Sequence, residues 1–300
     1  MSQTTTITPA TLNGLLAIQR YRLLSVDQFA RASGLKSSHV RDVLRTFERK
    51  KLLGSIGNVG LRGGAKAPKL YYLTRGGFEV MIDAGGLNGD DVGGYVRPHT
   101  GTGWTPVMAH RMATIDLLLA VETGLNAFPK YRVVKTFHEY RRVFRGTSQQ
   151  PETSDFVAEP FNSSTRIVPD AAFILENQIS GGRALFFVET DRGTERLTSG
   201  AEGSYSIVDK FALYERYLHG GRFADAYQTF GDFKFFTMLF VTTSDERIEN
   251  TRRTAERLDS SLHPYFKLAT QHRAAHSFFD PIWVSRDARN QERSTLIKSN

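Results

Sequence analysis

Arg183-Ala184-Leu185-Phe186-Phe187-Val188-Glu189-Thr190-Asp191-Arg192-Gly193-Thr194-Glu195 is the stretch on which the fold turns. Ala184 to Val188 are apolar without interruption, which suits a strand covered on both faces. The run closes on acids, Glu189 and Asp191, followed by a turn at Gly193. Upstream, Arg166 to Leu175 reads as another strand with Pro169-Asp170 inside it, and Glu176 to Gly182 as the turn between the two. Tyr131 to Thr136 reads as a strand, the polar 144–165 segment as a hairpin loop, and Met108 to Thr123 as an amphipathic helix. Downstream come a helix at Tyr205–Leu218, a buried strand at Phe233–Val241, a charged helix at Ser244–Leu258 and a final strand at Phe278–Val284.

Helix, three strands, helix, strand, helix, strand is the element order of the PD-(D/E)XK nuclease core. Adjacent strands would set Asp170 and Glu189 side by side. Two such carboxylates repel unless a proton or a cation comes between them, and hard oxygen ligands suit Mg²⁺. Asp170 and Glu189 are therefore the expected metal ligands. Asp191 stands where that pattern has its lysine, and Lys210 on the following helix can supply the ammonium. The expected catalytic set is Asp170, Glu189, Asp191 and Lys210. A plainer reading stays open: Asp191 to Thr194 as a turn, and Lys210 as a surface residue paired with Asp209 or Glu215.

The first 85 residues read differently. A helix beginning at Pro9 ends near Arg22. Ser25-Val26-Asp27-Gln28 is a capping-box pattern opening a short helix that stops at Gly34. Ser37 or Ser38 is expected to cap a third helix running to about Lys51, with Val40, Val43, Leu44 and Phe47 inward. A short helix, a turn and a longer basic helix make a helix-turn-helix, whose second helix presents its N-terminal residues to base edges. Ser37, Ser38, His39, Arg41 and Arg45 are those residues here. Two strands, at Ser55-Ile56 and Lys69–Leu73, enclose a Gly-rich loop carrying Arg62 and Lys66; with Lys69 these are the expected phosphate contacts of a wing. Thr74 then caps a closing helix, Arg75 to Ala84. A winged helix used only for protein contacts is the alternative.

Charge argues against that alternative. Residues 1–85 hold thirteen Lys/Arg and five Asp/Glu, so they carry the entire net charge of +8 of the 300-residue chain. A concentrated positive field favours a polyanion. Residues 86–106, rich in glycine, read as a linker, and 107–300 as the second domain. The chain has no cysteine, which excludes disulfides and thiolate chemistry. It has no apolar run of membrane-spanning length, no signal-peptide pattern, no phosphate-binding Gly-rich loop and no Gly-x-Ser-x-Gly. A cytoplasmic α+β protein of two domains is expected.

The whole also resembles the replication-relaxation family of plasmids, phages and integrative elements. The features are the N-terminal winged helix, His110-Arg111-Met112-Ala113, Pro169-Asp170-Ala171, the stretch from Phe187 to Glu195, and Lys210 with Tyr214 and Tyr217. The resemblance covers roughly residues 10–240. It implies a DNA-binding role in replication or relaxation of a mobile element, with double-stranded DNA as partner. A homodimer and replication or mobilisation proteins are further candidate partners. Two functional readings follow: a Mg²⁺-dependent DNA-nicking nuclease, or a non-catalytic regulator on a degenerate nuclease fold.

Overall fold

The structure, a computed structural model, describes residues 7–57, 67–89, 92–96, 106–145, 147–198 and 206–297. Contacts divide the chain into two compact units, Met1–Leu119 and Ala120–Asn300.

In the first unit, Thr8 caps helix α1 (Pro9–Tyr21) by accepting from the Thr11 amide. A two-residue strand, β1 (Leu24–Ser25), leads into α2 (Val26–Ser33). The capping box is present: Ser25 Oγ accepts from the Gln28 amide at 3.2 Å, and Gln28 Oε1 accepts from the Ser25 amide at 3.0 Å. Gly34 ends α2 at φ 71°, a left-handed position that suits glycine. Helix α3 (Ser37–Arg49) corrects one expectation. Its N-cap is Lys36, which makes no side-chain cap, and Ser37 is already helical.

Strands β2 (Leu53–Ile56) and β3 (Leu70–Leu73) follow, and β3 lies between β1 and β2, antiparallel to both. β1 escapes the sequence because two residues carry no periodicity. Thr74 caps α4 (Arg75–Gly85), accepting from the Gly77 amide at 3.0 Å. A Cβ on Gly77 would lie 1.8 Å from the Leu52 carbonyl oxygen, so glycine permits α4 to sit against the start of β2. Tyr21, Leu24, Phe29, Val40, Leu44, Leu70 and Met81 are fully buried in this unit.

Helix α5 (Pro106–Gly124) crosses the division between the units. Its first part is bonded into the N-terminal unit. Gln28 Nε2 donates to the Met112 carbonyl and to Asp116 Oδ1, Arg31 pairs with Asp116 at 3.1 Å, and Arg111 donates to the Tyr21 carbonyl at 2.6 Å. Amphipathic spacing shows which face of a helix is buried, but not against what.

The second unit continues with β4 (Tyr131–His138), β5 (Arg142–Arg145), β6 (Ser148–Pro151), β7 (Asp155–Phe156), β8 (Arg166–Ile167), β9 (Ala171–Asn177) and β10 (Arg183–Thr190). Then come α6 (Ile207–Gly220), α7 (Arg222–Ala226), β11 (Phe236–Thr242), α8 (Asp245–Ala255), β12 (Phe266–Thr270), α9 (Gln271–His276), β13 (Trp283–Ser285) and β14 (Arg293–Ser294). Seven strands make one mixed sheet in the order β4-β9-β10-β11-β12-β13-β14. β10, β11 and β12 are parallel, and the remaining pairings are antiparallel. α6 and α8 provide crossovers between the parallel strands.

Three sequence expectations change here. The strand expected over 166–175 is two: β8 pairs with β7 in a separate ribbon, and β9 joins the large sheet. Pro169 falls in the break and has no amide to give a ladder. β12 went unread, because a five-residue strand with Lys267 inside it offers little pattern. The final strand starts only at Trp283; Phe278 and Phe279 pack as rings instead.

Two faces of the sheet are covered. Leu185 and Phe187 of β10 face α6, and the Phe187 ring lies 4.8 Å from Phe236 and 6.0 Å from Tyr214. Phe186 points the other way and stacks on Phe173 at 4.8 Å. Each such buried ring contributes about 2 kcal/mol. This alternation decides where Glu189 goes: it shares the face of Leu185 and Phe187, towards α6.

Candidate functional site

Val188 of β10 pairs with Ala171 of β9. Asp170 and Glu189 are the next residues outward on the two strands, so the register itself brings them together. Asp170 Oδ2 accepts from the Thr190 amide at 2.6 Å. Both acids are buried, at 8% and 3% exposure.

Lys210 comes from the first turns of α6. Ser206 and Asp209 form a capping box that fixes that helix start, with Ser206 Oγ accepting from the Asp209 amide and Asp209 Oδ2 accepting from the Ser206 amide. Asp209 is thereby a cap, and Glu215 accepts from Arg286. Lys210 instead reaches inward. Its Nζ donates to Glu189 Oε2 at 3.0 Å and to Glu195 Oε1 at 3.1 Å. Tyr214, one turn along, donates its hydroxyl to Glu189 Oε1 at 2.6 Å.

Burial dominates the electrostatics of this cluster and pushes the Glu189 carboxyl up to about 7; Asp170 adds to the rise, and Lys210 and Tyr214 oppose it. For Lys210, burial favours the neutral amine, but the facing Glu189, Asp170 and Glu195 outweigh it and hold the ammonium above the usual lysine range. Burial and the Glu189 charge raise the Tyr214 hydroxyl well above its usual value, so it remains a donor. Three carboxylates thus face one ammonium. The carboxylate oxygens of Asp170 and Glu189 are hard donors of the kind a divalent cation takes.

Asp191 lies in a different network. Its side chain is fully buried, and Arg247 of α8 clamps it, with Nε at 2.8 Å from Oδ2 and Nη2 at 3.2 Å from Oδ1. Thr242 Oγ1 and the Gly193 amide complete its shell. Its carbonyl accepts from Gln271. The structure therefore brings together Asp170, Glu189 and Lys210, and sets Asp191 apart as the anchor of the turn after β10.

Sequence reasoning missed Glu195, Tyr214 and Arg247 as partners here. Glu195 lay in the opening stretch, yet no spacing rule ties it to Lys210. Arg247 did leave a sign: a cation in the first turn of a helix opposes the helix dipole and needs another reason to be there. The Asp191 carboxylate is that reason.

In the N-terminal unit, Ser38, His39, Arg41 and Arg45 stand exposed on α3, and Ser37 is half-buried. Ser38, Arg41 and Arg45 recur at helical spacing and so share one face. Arg45 makes an exposed pair with Asp42 at 3.4 Å. Lys69 is drawn inward: its Nζ donates to both oxygens of Glu48, at 2.9 and 2.7 Å, and lies over the Tyr71 ring. The hydrogen bond from Lys69 is the main cause that lowers the Glu48 carboxyl. Arg62 and Lys66 lie outside the described residues. Among the described residues, no helix is long and apolar enough to cross a membrane.

No curated protein sequence matches the chain. A solved structure concerning regulation of DNA binding of Bordetella bronchiseptica BpsR by 6-hydroxynicotinic acid aligns at 22% identity. The alignment covers 40% of this chain and 85% of that one, at a TM-score of 0.24, too low to carry an argument. The replication-relaxation family model matches residues 15–233. On that match, which spans well over half of its length, the chain belongs to the replication-relaxation family.

Proposed function

We propose that the protein binds duplex DNA through its N-terminal unit and nicks or cleaves DNA with its C-terminal unit, in the replication or relaxation of a plasmid, phage or integrative element. In this reading the first unit is a winged helix-turn-helix with α3 as recognition helix. The second is a PD-(D/E)XK-type core in which Asp170 and Glu189 hold Mg²⁺. Such an ion would activate water and offset charge on the scissile phosphate. Lys210 supplies a fixed ammonium beside the carboxylates, and Tyr214 orients Glu189.

The observation that carries the reading is the convergence of Asp170, Glu189 and Lys210 at a buried site. Charges are not taken out of water without compensation or use. The exposed basic face of α3 and the charge excess of residues 1–85 support the targeting role.

A second reading has its own support. Both carboxylate oxygens of Glu189 are already bonded, to Lys210 and Tyr214. A closed ion-pair network of this kind suits a non-catalytic regulator that has kept the fold. Supercoiled plasmid incubated with Mg²⁺ or Mn²⁺ separates the two. The catalytic reading expects nicking by the wild type and none by Asp170→Ala; equal nicking by both, or none by either, leaves the regulator.

A further inference from the structure

The hairpin of β5 and β6 leaves the large sheet beside Asp170. His138, at the end of β4, pairs with Ala171, and the amide of Glu139 donates to the Asp170 carbonyl at 3.2 Å. On the return side, Thr153 Oγ1 donates to the Pro169 carbonyl at 2.6 Å. Both feet of the hairpin are tied to the segment that delivers Asp170. Glu152 braces them further: its carboxylate accepts from the His138 amide and pairs with Arg141, and its carbonyl accepts from Arg145.

The arm above these feet has a distinct chemistry. Arg142 pairs with Pro151 and Phe144 with Gln149, so Arg142, Phe144 and Gln149 share one face of the ribbon. Phe144 is 74% exposed, and Arg142 and Arg145 are exposed beside it. Residues 142–151 contain two arginines and no acid, and Arg141 immediately precedes them. An exposed ring with Arg142 on its own face, and Arg145 next along the strand on the opposite face, matches a base and its flanking phosphates: the ring stacks, and the cations neutralise. With no acid on these strands, the complementary partner is an anion.

We propose that the β5–β6 hairpin is an arm that holds an unpaired stretch of DNA beside the Asp170–Glu189–Lys210 cluster, an assignment that rests on reading that cluster as a site acting on DNA. Phe144 stacks on a base, and Arg142 and Arg145 meet the adjoining phosphates. The duplex bound by the N-terminal unit is a separate contact.

Fluorescence anisotropy of the full chain with a short labelled oligothymidylate tests this, in EDTA so that affinity is read independently of cutting. Phe144→Ala is expected to weaken single-strand binding about tenfold, and Phe144→Trp to restore it. Arg142→Gln and Arg145→Gln should each lower the slope of log affinity against log salt by about 0.7. Affinity for a short duplex should not change with any of them. All three side chains are exposed, and unchanged thermal melting verifies the fold. Wild-type single-strand affinity in Phe144→Ala overturns the arm, as does an equal loss on duplex and single strand. A benzoylphenylalanine at position 144 that crosslinks only to protein or lipid also overturns it. Absence of plasmid nicking, by contrast, bears on the catalytic reading alone.

Discussion

The basic face of α3 and the acidic cluster at the end of β10 handle charge in opposite ways. Ser38, Arg41 and Arg45 sit in water on a helix whose other side supplies Val40, Leu44 and Phe47 to the core. Displaying those cations costs the fold almost nothing, so they are free to be chosen for a partner. Asp170, Glu189 and Asp191 are buried, and each is met by named donors: the Thr190 amide, Lys210 with Tyr214, and Arg247 with Thr242. The same residue types serve as independent surface charges in one unit and as interlocked parts of the structure in the other. Substitutions should therefore register in binding for the first and in stability for the second.

The largest effect is expected at Arg247. Removing it by Arg247→Ala leaves the fully buried Asp191 carboxylate without its ion partner, which destabilises by about 3–5 kcal/mol. Urea unfolding followed by circular dichroism checks this; a midpoint that barely moves would mean the turn after β10 is held by Thr242 and Gly193 alone.

Next comes the pH dependence set by Glu189. Its carboxyl is raised in the folded state from 4.5 to about 7. The folded protein therefore binds this proton more tightly than the unfolded chain does. The contribution is fully present below about pH 4.5 and is lost as pH rises through about 7, to a total of about 3 kcal/mol. Glu189→Gln should flatten that part of the stability profile. In the metal-dependent reading, Mg²⁺ should raise the melting temperature more above pH 7 than at pH 6, since the ionised carboxylate would be the ligand. Equal stabilisation at both pH values would detach the metal from Glu189.

The smallest effect on stability is expected on α3. Arg41→Ala and Arg45→Ala should each change unfolding free energy by no more than about 0.5 kcal/mol. Each should lower the salt slope of duplex binding by about 0.9 if its guanidinium meets a phosphate. An unchanged slope in both variants would remove α3 as the recognition helix and blur the contrast between the two regions.

Some of this was legible before any coordinates. The capping box at Ser25 and Gln28, the stops at Gly34 and the cap at Thr74 are contacts between near neighbours in the chain, and local spacing specifies them. The buried strand β10 is readable because four consecutive large apolar residues, Leu185 to Val188, have no other place than a covered strand. The N-cap of α3 was misassigned because two serines in a row offer equal side chains, and only the backbone angles of Lys36 choose between them. The break at Val168 to Asp170 is hard to read because apolar residues lie on both sides of Pro169 and continue the strand pattern across it.

By itself, the amino-acid sequence determined most of the longer elements, the caps at Ser25 and Thr74, the concentration of positive charge in the first 85 residues, and the candidates Asp170, Glu189 and Lys210. Only the tertiary structure decided which acids share a site. Asp191 is two residues from Glu189, yet Arg247 from the far side of β11 claims it, while Lys210 and Tyr214 from α6 take Glu189. The reason is that pairing of buried charges depends on sheet register and on where each helix packs along the sheet, and both are fixed by contacts distant in the chain.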